Sequence, residues 1–195
     1  MAINPKPPMT PEAYLAFERA QLDAKHEFLN GDVIAMAGAS RQHNRIVTNL
    51  VVSLGSQLRG RPCDVYSSDM RVKILTTGLY TYPDVIAMCH DPQFEDEALD
   101  TLLNPSVIIE VLSPSTEAYD RGIKFAHYRS IDAMQIYILI AQDKPQVEIF
   151  RRQGKRDWLL SVVEGLDARV SLETIGCELA LAEVYERVLE GGTLT

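Results

Sequence analysis

The chain has 195 residues, 46% apolar and 24% charged, with a formal net charge of −8. That length is one domain's worth, and that balance belongs to a folded globular protein, not a disordered one. The acidity argues against a protein that coats nucleic acid nonspecifically, but it leaves room for a nuclease, whose site needs carboxylates and which needs only one basic face.

No stretch approaches the ~20 uninterrupted apolar residues of a membrane helix, and the opening MAINPKPP lacks the apolar core of a secretory signal. Cys63, Cys89 and Cys177 lie far apart with no CxxC pair. This predicts neither a disulfide framework nor a cysteine-rich zinc site, and suits a reducing cytoplasm. Residues 1–9 read as a flexible Pro-rich tail, and residues 10–190 as one domain. Thr10-Pro11-Glu12 predicts a helix from 11 to about 23: a capping hydroxyl, Pro at the first helical position and an acid at the positive end of the dipole. Asn30-Gly31 between HEFL and VIAM predicts a hairpin ending near Gly38. Ser40 caps the next helix, whose apolar positions Ile46, Val47, Leu50, Val51, Leu54 and Leu58 keep to one face until Gly60 and Pro62 end it.

Short β-like runs follow at 63–67, 69–75, 82–88 and 106–112. The last two are nearly continuous apolar runs, which predicts strands buried on both faces near the centre of a sheet. Residues 89–104 form an acidic loop long enough to be functional or mobile. A helix over about 117–130, a strand at 135–141, a hairpin of 146–151 with 157–163 and a final helix at roughly 179–189 complete the chain. The pattern is a mixed α/β sandwich around one sheet.

An acid interrupts each of the two buried runs: Asp84 in Tyr-Pro-Asp-Val-Ile and Glu110 in Val-Ile-Ile-Glu-Val-Leu. Burying even a neutral polar group without a partner costs ~2–7 kcal/mol, so each carboxylate needs an arginine, a metal or a hydrogen-bond network. Taken singly, Asp84 reads equally as a strand-end turn acid, and Glu110 as half of an internal salt bridge. Together, on successive strands, they favour a functional pair. Like charges within about 6 Å raise each other's pKa unless a cation neutralises them. Mg²⁺ resolves that conflict, taking one or two carboxylates plus waters and phosphate oxygens.

By spacing alone, Asp120 and Lys124 form a surface i,i+4 pair worth ~0.3–0.5 kcal/mol. Glu27 reads as an exposed strand acid, and His43 as a packed or cap-adjacent residue in the first turn of its helix. Arg41, Gln42 and Asn44 make that turn a phosphate contact by helix-terminus physics. Arg59, Arg61, Arg71, Lys73, Arg151, Arg152, Lys155 and Arg156 are candidates for one or two basic surfaces. Nucleophile-elbow, P-loop, dinucleotide and HExxH signatures are absent.

The run Tyr82-Pro83-Asp84-Val85, then Ile109-Glu110-Val111-Leu112-Ser113-Pro114-Ser115-Thr116, then Asp120 and Lys124 to Tyr128 resembles the Uma-two family of restriction-endonuclease-like proteins in the PD-(D/E)XK nuclease superfamily. The resemblance extends over roughly 10–190 and includes the Glu27–Asp32 hairpin and His43. It implies a restriction-endonuclease-like α/β core, with a mixed central sheet flanked by helices. It also implies a metal-dependent endonuclease acting on DNA, with Asp84, Glu110 and the Val111 backbone carbonyl holding Mg²⁺ or, in its place, Mn²⁺. The superfamily's usual lysine position is occupied here by Leu112, and the resemblance implies that Lys124 on the following helix supplies the ammonium. Glu27, His43 and Asp120 are implied supporting residues, and a homodimer is implied as the assembly. Two other readings compete with nuclease activity. One is a catalytically silent nucleic-acid-binding or dimerising module that retains the fold. The other is a small-molecule hydrolase, which would show a closed apolar pocket in place of an open groove.

Overall fold

The capping hydroxyls predicted at Thr10 and Ser40 both open helices. In the computed structural model, which describes residues 8–189, the Thr10 hydroxyl accepts from the Ala13 amide and opens helix α1 (Pro11–Arg19), shorter at its C-terminus than the predicted 11–23. Strands β1 (His26–Leu29) and β2 (Asp32–Ala35) pair antiparallel. At their turn Asn30 and Gly31 both take positive φ, 53° and 94°, as a type I′ turn requires. The Ser40 hydroxyl accepts from the His43 amide and opens α2 (Arg41–Leu58). Strands β3 (Asp64–Ser67), β4 (Arg71–Ile74), β5 (Leu79–Thr81), β6 (Val85–Met88), β7 (Thr101–Leu102) and β8 (Val107–Val111) follow.

The predicted 117–130 helix is a composite. Two short α segments, α3 (Glu117–Tyr119) and α4 (Phe125–Tyr128), flank one π turn over Asp120–Lys124. Strands β9 (Ile136–Ile140), β10 (Gln146–Arg152) and β11 (Trp158–Glu164) complete the central region. Beyond them lie β12 (Arg169–Leu172), β13 (Cys177–Ala180) and a short α5 (Leu181–Val184).

Among the described residues the strands form three sheets, where the sequence suggested one. The central sheet is mixed, in the order β11-β10-β9-β8-β6-β3. A second sheet, β2-β1-β5-β4-β7, and the small β12-β13 pair stand beside it. Strand β8 runs antiparallel to β6 and parallel to β9. On one face of the central sheet, Ile46, Leu50 and Leu54 of α2 pack on Val85, Val107, Ile109 and Ile138. On the other face, Ile86, Ile108, Tyr137 and Tyr128 share a core with Val72 and Leu79 of the second sheet. This double coverage is the reason β6 and β8 read as unbroken apolar runs.

Three expectations are corrected. Cys63 and Cys89 are disulfide-bonded. The antiparallel pairing Asp64↔Met88 makes them the next facing pair, a proximity that a 26-residue separation hides. The helix expected over 179–189 is cut to four residues: 179–180 still belong to strand β13, α5 spans Leu181–Val184, and turns follow, with Leu179 joining the core from extended backbone and Leu181 and Val184 from the helix. Four of the eight candidate basic residues are engaged within the fold. Arg71 is buried and bonded to Thr101 and Tyr82, Arg61 and Arg152 bind backbone carbonyls, and Lys73 pairs with Glu95. The expected tail falls mainly on residues outside those described.

The acidic loop is tied down. Arg19 reaches Asp96 and Asp100 at 2.8 Å each, and Arg71 meets Asp100 at 3.0 Å. The Arg19 guanidinium, against the cost of burial and helped by Arg71, holds the Asp100 carboxyl well below its ordinary 3.8. A depressed carboxylate stabilises the fold above its unfolded pKa, and that contribution is lost as pH falls through the folded value. Asp100→Asn should therefore flatten the acid limb of stability below about pH 4, as read by urea unfolding across pH. The loss at neutral pH should be about 1 kcal/mol or less, because Asp100 is a third exposed and solvent-screened.

Candidate active site

Strand register brings the two anomalous acids together. Val85 pairs with Ile109, so Asp84, just before β6, faces Glu110 near the end of β8. The Asp84 amide donates to Glu110 Oε2 at 3.3 Å, and the Val111 amide donates to Asp84 Oδ2 at 2.7 Å. In an extended strand the N–H and C=O of one residue leave toward the same edge, so the Val111 carbonyl also faces the Asp84 side. Asp84 is not neutralised by an arginine. Its other oxygen, Oδ1, lies 3.0 Å from His43 Nε2. The Ser40 cap fixes the helix start from which that ring projects over the strand end.

Lys124 arrives from the π turn. Its Nζ lies 2.9 Å from Glu110 Oε1, 3.5 Å from Glu27 and 3.6 Å from Asp120. All four residues are buried. Asp120 and Lys124 are thus not the surface pair that spacing alone suggested, and Glu27 is not an exposed strand acid. The π turn spans Asp120 through Lys124 and directs both ends of this i,i+4 pair inward, a device common at functional sites.

Hydroxyls complete the shell, and sequence reasoning assigned them no role. Tyr128 donates to Glu110 Oε1 at 2.8 Å, and Tyr119 to Glu27 Oε2 at 3.1 Å. Thr81 of β5 donates to Glu27 Oε1. Tyr128 is four residues from Lys124 and so shares its helix face; that spacing is the one signal that could have found it. Thr81 carries no sequence signal, since the second sheet must pair before it meets Glu27.

The electrostatics are unbalanced. Asp84, Glu110, Glu27 and Asp120 bring four carboxyl groups to one ammonium and one imidazole. Burial pushes Glu110 up to about 8; Lys124 opposes the rise, and Asp84 and Asp120 add to it. Burial likewise raises Asp120 against the pull of Lys124. Burial disfavours the Lys124 ammonium, but Glu110, Glu27 and Asp120 outweigh it and hold the proton well above the ordinary lysine value. The raised Glu110 value expresses the crowding of carboxyl groups: the site relieves it by holding a proton on Glu110, and a cation placed between the acids would relieve it in the proton's stead.

Residues 11–182 match the Uma2 family, described as "Putative restriction endonuclease". The chain belongs to the Uma2 family. Two uncharacterized proteins of Synechocystis sp. are similar to it. One is 35% identical over 93% of each chain. The other is 39% identical over 83% of this chain and 91% of the relative. The crystal structure of a putative nuclease belonging to DUF820 from Anabaena variabilis aligns with a TM-score of 0.74, at 19% identity, over 93% of this chain and all of that one. The Uma2 chain thus has the restriction-endonuclease-like α/β fold that the sequence implied.

In this Uma2 protein Lys124 holds the buried acids together. Lys124→Met should cost about 3–5 kcal/mol in urea unfolding, because it strands carboxylates in the interior. The double variant Glu110→Gln/Lys124→Met should lose less than the sum of the two single variants, since the charges leave together. Strict additivity would show that Lys124 and Glu110 do not depend on each other.

Proposed function

We propose that this protein is a metal-dependent nuclease that hydrolyses phosphodiester bonds in DNA, with Asp84 and Glu110 as its metal-holding carboxylates. The observation that carries the reading is the meeting of these two acids at adjoining strand ends, with a buried ammonium 2.9 Å from Glu110. Among the described residues, no group of three or more His, Cys, Asp or Glu side chains forms a ready metal cage. Mg²⁺ does not require such a cage, since it is typically held by one or two carboxylates and otherwise by water and substrate oxygens. The donor set is all oxygen: two carboxylates and the Val111 carbonyl on the same edge. The crowding of carboxyl groups fits a divalent cation in kind.

When bound at such a site, Mg²⁺ polarises a phosphate oxygen and lowers the pKa of a coordinated water. The remaining work falls to the chain. The Val111 amide and His43 fix the two oxygens of Asp84, and Tyr128 and Lys124 fix Glu110. Lys124 offsets the negative charge that develops as water attacks phosphorus and the P–O bond breaks. Glu27 and Asp120 hold Lys124 protonated, which makes them supporting residues. No helix among the described residues is long and apolar enough to cross a membrane.

The reading is tested with supercoiled and linear DNA in Mg²⁺ or Mn²⁺. Asp84→Asn and Glu110→Gln should each reduce cleavage by at least the ~100-fold that changes outside the ligand shell cost, with the circular dichroism spectrum unchanged. Both variants cutting at the wild-type rate would overturn it. A wild type that neither cuts nor takes up Mn²⁺ in calorimetric titration would favour the silent nucleic-acid-binding module instead.

A further inference from the structure

The central sheet ends on β11, and no further strand pairs with that edge among the described residues. Seven residues long, it is the longer of the sheet's two edge strands; β3 at the other end has four. Its side chains are unusual for an edge. Leu159, Leu160 and Val162 are each about half exposed, at 52%, 48% and 51%. No charged residue interrupts 158–163. Proteins normally guard a free edge with lysines, prolines or bulges, because its open N–H and C=O groups recruit another strand.

The direction of those open groups can be read from the pairing with β10. The Gly165 amide bonds to the Pro145 carbonyl, and the Gln153 amide to the Asp157 carbonyl. With the β10–β11 register and the alternation of an antiparallel ladder, residues 157, 159, 161, 163 and 165 bond inward. The backbone groups of Trp158, Leu160, Val162 and Glu164 therefore point out of the sheet.

We propose that a second copy of this chain docks on this edge, β11 against β11, antiparallel about a twofold axis through Ser161. In this register Leu160 faces Val162 of the second copy, and Trp158 faces Glu164 of the second copy. All four outward residues are then in hydrogen-bonded pairs, and the two six-stranded sheets become one of twelve strands. On one face the two Leu160–Val162 pairs close into an apolar cluster. On the other, Leu159 meets Val163 of the second copy. The strand is thus complementary to itself, as an isologous interface requires.

Charge supports the same register. Lys155, Arg156 and Asp157 precede the strand with net positive charge, while Glu164 and Asp167 follow it. Antiparallel pairing lays the positive end of each strand beside the negative end of the other. Opposite charges so placed favour pairing, and like charges would oppose it.

The test is sedimentation velocity of the full chain over a concentration series, with cysteine cross-linking. The wild type should sediment as a dimer. Leu160→Lys/Val162→Lys places lysines opposite lysines and should raise the dimer Kd on the order of 100-fold. Both positions are already half exposed, so the fold should survive, as circular dichroism will check. Ser161 faces itself as a non-hydrogen-bonded pair, with Cα atoms ~4.5 Å apart, within disulfide reach. Ser161→Cys should therefore form a covalent dimer on mild oxidation. Val163→Cys should not, because it faces position 159. The native background is low, since Cys63 and Cys89 are bonded and Cys177 is buried. A wild type that stays monomeric throughout, or a dimer that ignores the lysines, would overturn the proposal. Cross-linking through position 163 and not 161 would overturn the register.

Discussion

One buried ammonium governs the centre of this molecule. Lys124 is almost fully desolvated, and it is retained there because Glu110, Glu27 and Asp120 surround it. Each group would be expensive to bury alone, and together they tolerate the interior. The balance is incomplete, because with Asp84 the acids outnumber the cations. The carboxyl crowding centres on the ends of β6 and β8, beside the Val111 backbone. A core that keeps such an imbalance gives up stability at a place where a divalent ion and a phosphate could use it.

The architecture exists to make this meeting possible. Four separate parts of the chain contribute: the β1 hairpin, the start of α2, the β6–β8 strand pair and the π turn. The two apolar clusters clamp the central sheet from both sides, so the strand ends are held by packing and not by the acids themselves. The hydroxyls of Tyr128, Tyr119 and Thr81 then orient carboxylates that would otherwise repel one another. Gln142 links the same region to the α2 cap, donating to the Leu112 carbonyl and accepting from Ser40.

Much of this was legible in the sequence because the signals were local. Caps at Thr10 and Ser40, the Asn30-Gly31 turn and the α2 stripe each depend on a few neighbouring residues. The acids at 84 and 110 stood out because their apolar flanks made them costly. The burial of Glu27, Asp120 and Lys124 could not be read from spacing, since an i,i+4 pair looks alike on a surface and in a core. The π turn that aims it inward leaves no mark in the residue pattern. The Cys63–Cys89 bond, the partition of the strands into separate sheets and the extended form of 177–180 depend on long-range pairing, which local propensity does not encode.

The central claim is that Asp84 and Glu110 share a divalent cation at the strand ends. Anomalous diffraction from a crystal soaked in Mn²⁺ tests it most directly. The account predicts a peak bound by both carboxylates and the Val111 carbonyl, with Lys124 still against Glu110. A peak bound elsewhere, or density showing the two carboxylates turned away from an empty centre, would contradict it.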